Sequence, residues 1–487
     1  MRTATSIGGT RVAFTQRMRI EPHRLLLHEN RGMTSFRKVS LACAGLLLLL
    51  SAATGAAQTP RNTAAKARIA THASTALPVR ITLADAIRRA RALSPVLETA
   101  EANARIAAEM AVQARAANLP NLTGVSQYLY TQGNGTLASR FVANNGVHEY
   151  VAQTNVHQNV SPSLFLAYRS SVILAAAARD RAQIAARGVV VAVVQAYATL
   201  VAANEKVTSA QGTLRAAQQF LVITRKREKN GDAARADVVK ARIQVDDNQV
   251  NLESMQLAQL QARIALALLI FHRANRNYVV VDDPAHILKL PAFVKAQQQA
   301  AANDPQLGAA VKTEKAAHKN LVAARFGYLP TLSFDYYFGI DANAFAMQST
   351  LFNGRRIQNL GYSALASLNV PLFTWGATHS RVKVAEFQQQ QAQSALSYTR
   401  RLHTGELELY YSQAEIARRE IQIRKQSTAD AIESRKLTLL RYKAGLATAL
   451  EVVNAESTVG LERDAWYDAE TRYATALANL ATLTGNL

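Results

Sequence analysis

Most of the chain carries apolar residues at the spacing of an amphipathic helix, which predicts long α-helices. Four such stretches contain no proline: 163–229, 232–271, 376–443 and 446–485. At a rise of about 1.5 Å per residue, the first would be roughly 100 Å long, more than one compact domain can cover. Helices of this length must pack along one another as coiled coils, and their many alanines permit a close approach.

Four shorter stretches alternate apolar and polar residues, which is the period of a β-strand. They are predicted at 121–130, 149–160, 331–340 and 361–370. In the clearest of them, every second residue from Leu332 to Ile340 is aromatic or aliphatic. The polar residues that we expect to face a lumen are Gln153, Asn155, His157, Asn159 and Asp335.

These strands have the length of about ten residues that crosses a bilayer when tilted. A soluble β-hairpin with one face on a core would show the same alternation. The strands stand isolated between very long helices, which leave them no evident partner surface, and this favours insertion into a membrane. The connections 131–148 and 341–360 are polar and rich in Gly and Asn, as expected for surface loops.

The chain contains two copies of one pattern. Gly231 and Gly445 each interrupt a helical stretch where a left-handed cap lets the chain reverse, so each marks the tip of a helical hairpin. A Leu-Pro step precedes the first strand of each copy. This duplication divides the chain into a first repeat, 80–272, an inter-repeat linker, 273–290, and a second repeat, 291–487.

Residues 1–57 have the features of a secretory signal peptide, and a start at Met33 would give it a normal length. Its apolar run, 41–50, is shorter than the ~20 residues of a membrane-spanning helix, and we expect no later segment to reach that length. The single cysteine, Cys43, is either a lipidation site or a buried part of the signal, and the apolar residues after it favour the second. Residues 58–79 form a polar leader.

The formal net charge of +22 raises the question of a nucleic-acid partner. The basic residues are interleaved with acids along the helices, and no basic block or aromatic–basic RNA motif occurs, so solvated helix faces explain the charge. We expect no nucleic-acid binding. The ten histidines are scattered, without metal-ligand spacing, and no catalytic set is evident. We therefore expect neither an enzyme nor a cofactor.

Four strands cannot close a barrel, and open strand edges are not tolerated in lipid. Several copies must therefore combine their strands. Two copies would give eight strands, with an interior filled by side chains, and three copies would give twelve, with room for a lumen.

The duplicated order of a proline-bearing helix, a Leu-Pro step, two strands, a long helix and a glycine-tipped return resembles the TolC-like outer-membrane efflux proteins. Further matching stretches are 370–376, 441–455 and 480–485. The resemblance implies a mainly α fold with a membrane β-barrel. Four transmembrane strands per chain would close a twelve-stranded barrel in a homotrimer, and long antiparallel helical hairpins would form an α-barrel in the periplasm.

The resemblance also implies a role and partners. The trimer would be a passive conduit in the outer membrane of a Gram-negative bacterium, in contact with its lipid. It would dock on a periplasmic adaptor and an inner-membrane pump of the RND, ABC or MFS type, for efflux or type I secretion. The alternative is a periplasmic coiled-coil adaptor or scaffold without a pore.

The family's gate residues carry over to the hairpin tips. The tyrosine–aspartate tie of the closed state matches Tyr442 and Asp237, although Tyr442 could simply pack at the tip and Asp237 could cap a helix. Of the family's two acidic rings, the first matches Glu451 and the second falls on Asn454, which is uncharged. The family's tip arginine is absent here, and Arg235 on the neighbouring tip could replace it.

The resemblance also places adaptor docking at the tips, because small exposed residues let another helical hairpin pack closely. Equally, these residues could be small only because the turns demand it. The candidates are Gly231, Asp232, Gly445, Leu446, Ala447 and Thr448.

Overall fold

The computed structural model describes residues 79–131, 147–273, 277–281, 289–350 and 353–485, all within the unit Thr75–Leu487. The predicted signal peptide, with Met33 and Cys43, and the leader up to residue 78 lie outside these residues.

The first half of the chain contains three short or medium strands, four helices and a further short strand. In order, these are β1 Val79–Ile81, α1 Leu83–Leu93, α2 Pro95–Ala116, β2 Asn121–Tyr130, β3 His148–Val160, α3 Pro162–Lys229, α4 Arg235–Ile270 and β4 Tyr278–Val280.

The second half repeats this order, with one addition between its long strands. The elements are α5 Phe293–Asn303, α6 Pro305–Arg325, β5 Thr331–Ala342, β6 Gln348–Thr350, β7 Arg356–Gln358, β8 Leu360–Asn369, α7 Ala377–Lys443 and α8 Ala449–Thr484. A 3-10 turn, Phe326–Tyr328, joins α6 to the strands.

Two antiparallel helical hairpins dominate the molecule. α3, with 68 residues, returns through α4, with 36, and α7, with 67 residues, returns through α8, with 36. No proline or glycine turn interrupts α3 or α7, so nothing in the sequence ends them before the tips. Their buried positions are largely alanines, which lets the helix axes approach closely without a bulky core.

In each repeat, the first helical stretch is broken into two helices just before a proline. The residue before that proline is the N-cap of the second helix. Ser94 accepts a hydrogen bond from the backbone N–H of Leu97 at 3.3 Å, and Asp304 accepts one from Gln306 at 2.8 Å. A proline follows each cap, where its missing N–H costs nothing. Asp304 also lies 2.6 Å from Nδ1 of His403, so this break is fastened to α7.

A mixed core forms between the first repeat and the linker that follows it. β1 and β4 pair in parallel, which makes residues 278–280 of the predicted linker part of this core. Ile81, Tyr278 and Tyr197 lie in one buried cluster with residues of α1, α3 and α4. The Tyr278 hydroxyl donates to the carbonyl of Arg263 at 2.6 Å, and burial raises the pKa of Tyr278 to about 12.

One expectation about membrane-spanning helices needs correction. α3 contains an 18-residue window that is long and apolar enough to cross a membrane by length and composition, and 28% of this window is buried. The sequence reasoning looked for an uninterrupted apolar run and overlooked this alanine- and valine-rich helix. Within the described residues, α3 contacts α1, α2, α4, α6 and α8, so protein covers part of its apolar surface.

The four longer strands form one antiparallel sheet in the order β2-β3-β5-β8. Their bounds lie at or next to the predicted ranges. Between β5 and β8, where the sequence predicted only a surface loop, β6 and β7 form a short hairpin. The register pairs Asn155 with Tyr337 and His157 with Asp335, so the alternating positions of all four strands fall into phase.

We predict that Gly339→Ala disrupts this sheet whereas Gly361→Ala does not. The two glycines are paired in the register, but a Cβ on Gly339 would lie 2.2 Å from the carbonyl oxygen of Ala152, and one on Gly361 meets nothing within 4 Å. Forcing the strands apart should lower the free energy of unfolding by roughly 1–3 kcal/mol.

The measurement is denaturant unfolding of both variants in detergent micelles, followed by circular dichroism. Equal midpoints for Gly339→Ala and Gly361→Ala would contradict the close approach of β3 and β5.

Candidate gate and channel wall

The two hairpin tips have the same backbone structure. Gly231 and Gly445 adopt φ values of 83° and 78°, the left-handed conformation that glycine tolerates best. At the first tip, Asp232 N–H donates to the carbonyl of Arg227 at 2.9 Å, and at the second, Leu446 N–H donates to that of Arg441 at 2.8 Å. With the nested bond of each glycine N–H, these form two Schellman caps.

The tips differ in how the returning helix begins. α8 begins with a capping box, in which Thr448 accepts from the backbone N–H of Glu451 at 3.3 Å and the Glu451 carboxylate accepts from that of Thr448 at 3.0 Å. α4 begins at Arg235, and its N-cap residue, Ala234, makes no side-chain hydrogen bond. The hydrogen bonds from Thr448, with the Arg441 guanidinium 3.6 Å away, lower the pKa of Glu451. The predicted acidic-ring residue therefore caps its own helix.

A buried apolar cluster fastens the two hairpins together just behind the tips. The cluster, which we call the tip cluster, draws one or two residues from each long helix: Phe220, Ala241, Tyr442, Ala449 and Val452. Phe220 and Tyr442 meet edge to face, with ring centroids 5.1 Å apart. The tips thus close on each other within one chain through desolvated side chains.

Tyr442 lies at the centre of this cluster and is only 2% exposed. Its hydroxyl donates to Oγ1 of Thr224 on α3 at 3.3 Å. The structure does not bring Tyr442 to Asp237 within the chain, and the half-buried Asp237 carboxylate has no hydrogen bond or ion pair among the described residues. The tie between the two repeats through Tyr442 and Asp237 stays a prediction.

Arg227 is the tip residue that sequence reasoning missed. Its guanidinium donates to the carbonyl of Tyr442 and, at 3.2 Å, to that of Asp232, and it lies 4.7 Å from the centroid of the Tyr442 ring. One side chain therefore ends α3, covers the end of α7 and stacks on the central aromatic ring. The available signal was a basic residue in the last turn of a helix, where free carbonyls accumulate.

The remaining predicted tip residues are mostly exposed. Arg235 forms an ion pair with Glu228 of its own hairpin at 3.2 Å, which leaves its proposed replacement of the missing arginine untested. Leu446 is 70% exposed, an unusual position for a large apolar side chain. Gly231, Asp232, Gly445, Thr448 and Asn454 are exposed, and Ala447 packs partly against the tip cluster.

The strand sheet has one polar and one apolar face. The polar face carries the predicted lumen residues, and Nδ1 of His157 lies 2.7 Å from a carboxylate oxygen of Asp335, 178 residues away in sequence. Beside this pair, Oδ1 of Asn155 is buried without a hydrogen-bond partner among the described residues. Gln153 and Asn159 share this face because they alternate with Asn155 and His157 along β3.

The opposite face is apolar and exposed. Leu122, Phe338, Tyr362 and Leu368 are 50–75% exposed. Tyrosines cluster at the loop end, where the rings of Tyr128 and Tyr150 lie 5.0 Å apart. A sheet that leaves this face uncovered, while its other face is polar, has the pattern of a wall between lipid and water.

The two edges of the sheet are unpaired. β2 pairs only with β3, and β8 pairs only with β5, among the strands that the structure describes. Their outer backbone N–H and C=O groups have no strand to bond to, so the sheet is incomplete for a water-free environment.

The model of the outer membrane efflux protein family matches residues 86–270 and 296–486, which include both hairpins and all four long strands. The chain belongs to the outer membrane efflux protein family.

Similar proteins agree with this assignment. The efflux-family chain is 24% identical to outer membrane protein OprJ of Pseudomonas aeruginosa over 62% of each chain, and 23% identical to the pyoverdine export protein OpmQ of Pseudomonas putida over 56% of each. These alignments span less than two thirds of the relatives' lengths. Both relatives are outer-membrane proteins of Gram-negative bacteria, and membership of the family gives this chain the same location.

The fold of the efflux-family chain is that of solved outer-membrane channels. The structure of VceC from Vibrio cholerae matches with a TM-score of 0.72 at 20% identity, covering 83% of this chain and 96% of that one. The Campylobacter jejuni CmeC channel matches with the same TM-score at 16% identity, covering 83% and 85%.

We predict that Arg227→Ala loosens the tips more than Arg441→Ala. Both arginines bond the carbonyl of a residue five positions on, but only Arg227 also reaches Tyr442. Its loss removes a charged hydrogen bond, worth about 1.5–3 kcal/mol, and a cation–π contact. Hydrogen exchange of the 220–232 and 439–453 segments measures the difference, and equal protection in both variants would show that Arg227 does not join the hairpins.

We also predict that the start of α8 frays at acid pH. The pKa of Glu451 is lowered in the folded chain, so its stabilising effect is complete above the ordinary glutamate pKa and is lost as the pH falls through the lowered value. Glu451→Gln keeps a hydrogen-bonding side chain without the charge. The measurement is the amide exchange rate of residues 448–452 in both proteins at each pH, because their ratio cancels the intrinsic pH dependence of exchange. A ratio of the two rates that stays constant between pH 7 and pH 3 would contradict the prediction.

Proposed function

We propose that three copies of this chain form the outer-membrane channel of a tripartite efflux system. Each copy would contribute four strands to a twelve-stranded barrel and two hairpins to a helical tunnel. The channel would be a passive conduit without enzymatic activity, and the energy would come from an inner-membrane pump. A type I secretion system would use the same conduit.

The observation that carries this proposal is the incomplete sheet. β2 and β8 are free on opposite edges, so β8 of one copy can pair with β2 of the next in a closed ring. Three copies give twelve strands and leave room for a lumen, whereas two give eight and a filled interior. In such a ring the apolar faces meet lipid, and the polar faces with His157 and Asp335 line the lumen.

The hairpins would extend this lumen away from the membrane. α3 follows β3 directly and α7 follows β8 after a short turn, and the 68 residues of α3 extend about 100 Å at 1.5 Å per residue. Six hairpins packed side by side would enclose a tube that continues the barrel. The tips would then form its far end, where a periplasmic adaptor and a pump of the RND, ABC or MFS type would join.

The tips are the proposed gate. The tip cluster holds the two hairpins of one chain together, so opening requires either that both move as a unit or that the cluster separates. The unpaired carboxylate of Asp237 is available to a tyrosine of an adjacent copy. Charge at the entrance would come from Glu451 and Arg235, with the neutral Asn454 one helical turn beyond Glu451.

The exposed tip surface is the proposed adaptor site. It consists of Gly231, Asp232, Gly445, Leu446, Ala447 and Thr448, where the small residues leave space for another hairpin and Leu446 offers an apolar contact. The relative OpmQ is named for pyoverdine export, and the cargo of this chain would be set by its pump.

The direct test is the mass and conductance of the purified protein. Light scattering in detergent should give three copies per particle, and planar bilayers should show ion-conducting channels. A monomer that conducts no ions would refute the proposal.

Four variants of the same channel separate two roles of Tyr442. If it ties copies through Asp237, Tyr442→Phe and Asp237→Ala should both raise the conductance of the closed channel. If its hydroxyl serves only the bond inside the chain, Thr224→Val should reproduce Tyr442→Phe, and Asp237→Ala should have no effect. Val239→Ala, an exposed neighbour on α4, is the matched control.

A further inference from the structure

The turn between β8 and α7 carries the most exposed large apolar side chains of the described chain. Leu372 is 91% exposed and Trp375 is 90% exposed, the two highest values among its large apolar side chains, and Phe373 between them is 72% exposed. The Phe373 and Trp375 rings meet at a centroid distance of 4.8 Å and an angle of 66°. The two rings therefore support each other as one projecting unit, which we call the aromatic wedge, residues 372–375.

The backbone under the wedge is strained for the residue that it carries. Trp375 has a φ of 51° and Gly376 a φ of 80°, and Ala377 N–H donates to the carbonyl of Thr374 at 2.9 Å. Two consecutive positive φ values closed by this bond make a type I′ turn, whose first central position favours Asn, Asp or Gly. Trp375 is the one described non-glycine residue with positive φ. A tryptophan kept here, pointing into open space, indicates a partner for the ring.

The wedge lies at the level where the strands end. Tyr328, just before β5, and Phe373 line one small cavity, so the entry and exit of the second-repeat strands lie side by side. The residues that enter the strands there are also exposed, with Leu119 at 51% and Leu329 at 47%. Together they continue the apolar face of the sheet down to the start of the helices.

The first repeat has no wedge. There β3 ends at Val160 and α3 begins at Pro162, without an intervening turn. Its exposed aromatic residue, Phe165, lies under the guanidinium of Arg169 at 5.0 Å. The residues at 166–168, which match 374–376 in sequence order, are helical. The wedge is thus a feature of one repeat and not a consequence of joining a strand to a helix.

We propose that the aromatic wedge inserts into the headgroup–acyl boundary of the inner leaflet and fixes the depth of the barrel in the membrane. This inference rests on the proposed function, because it requires the apolar face of the sheet to meet lipid. Trp is the residue that prefers this boundary, with its ring in the apolar layer and its N–H among the headgroups. A water-exposed wedge would leave three large apolar side chains hydrated, and lipid removes that cost.

The chain has only two tryptophans, which makes the test direct. Trp466→Phe leaves Trp375 as the sole fluorophore, and Trp375→Phe leaves Trp466 on α8. The full-length protein is reconstituted in phosphatidylcholine vesicles brominated either near the carboxyl end or near the methyl end of the acyl chains. The fluorescence of Trp375 should be quenched strongly by the shallow bromines, less by the deep ones, and little by aqueous acrylamide. The fluorescence of Trp466 should not be quenched by either brominated lipid.

A third protein separates failure of the wedge from failure of the barrel. Tyr336→Trp, in a background without the two native tryptophans, reports a ring on the apolar face of β5. If this ring is quenched by lipid and Trp375 is not, the wedge is wrong and the barrel stands. If neither is quenched, both proposals fall.

A last variant tests the role in setting depth. Trp375→Asn suits the type I′ turn, so it removes the ring without breaking the backbone. Two proteins are compared, both with Trp466→Phe and the Tyr336→Trp reporter, one with Trp375→Asn and one with Trp375→Phe. The depth profile of the reporter should be broader in the Trp375→Asn protein. An unchanged profile would show that the wedge does not hold the barrel in place.

Discussion

The main constraint on this structure is that the outer edges of its four-stranded sheet have backbone groups that the sheet itself cannot hydrogen-bond. Four antiparallel strands satisfy three pairings and leave the outer edges of β2 and β8 without partners. In water such edges bond to solvent, but the bilayer core has none, and each unpaired group there costs several kcal/mol. In the proposed barrel, a chain with only four strands would therefore need further copies of itself to pair both edges.

The rest of the fold follows from this need. Duplication supplies two strand pairs and two helical hairpins from one pattern, so each repeat would contribute equally to the proposed barrel and to the proposed tube. The hairpins then require fastening at their free ends, far from the sheet, and the tip cluster with Arg227 provides it. The two repeats are not identical there, since α8 begins with a capping box and α4 does not, and a gate can use such asymmetry.

Local patterns in the sequence were enough to place the long helices, the strands and the two glycine turns. The alternation from Leu332 to Ile340 indicates a strand, and Gly231 and Gly445 each indicate a turn. Each of these signals lies within a few consecutive residues. The capping box of Thr448 and Glu451 was equally readable, because a Thr followed three residues later by Glu at a helix start is its signature. The sequence analysis assigned Glu451 to an acidic ring and not to this cap.

Contacts between distant parts of the chain could not be read in this way. Tyr442 meets Thr224 across 218 residues, and His157 meets Asp335 across 178, with no local pattern that pairs them. The positive φ of Trp375 was also hidden, because the residue type argues against that conformation. Sequence reasoning thus placed the helices, strands and turns, and only the packing of the chain showed which side chains meet.

The most direct measurement of the central claim is hydrogen exchange of the edge strands in the membrane. In vesicles, the account predicts that the amides of β2 and β8 are protected as strongly as those of β3 and β5, because each edge is paired with another copy. Fast exchange confined to the outward-facing amides of β2 and β8, with β3 and β5 protected, would show that the edges remain open and would contradict it.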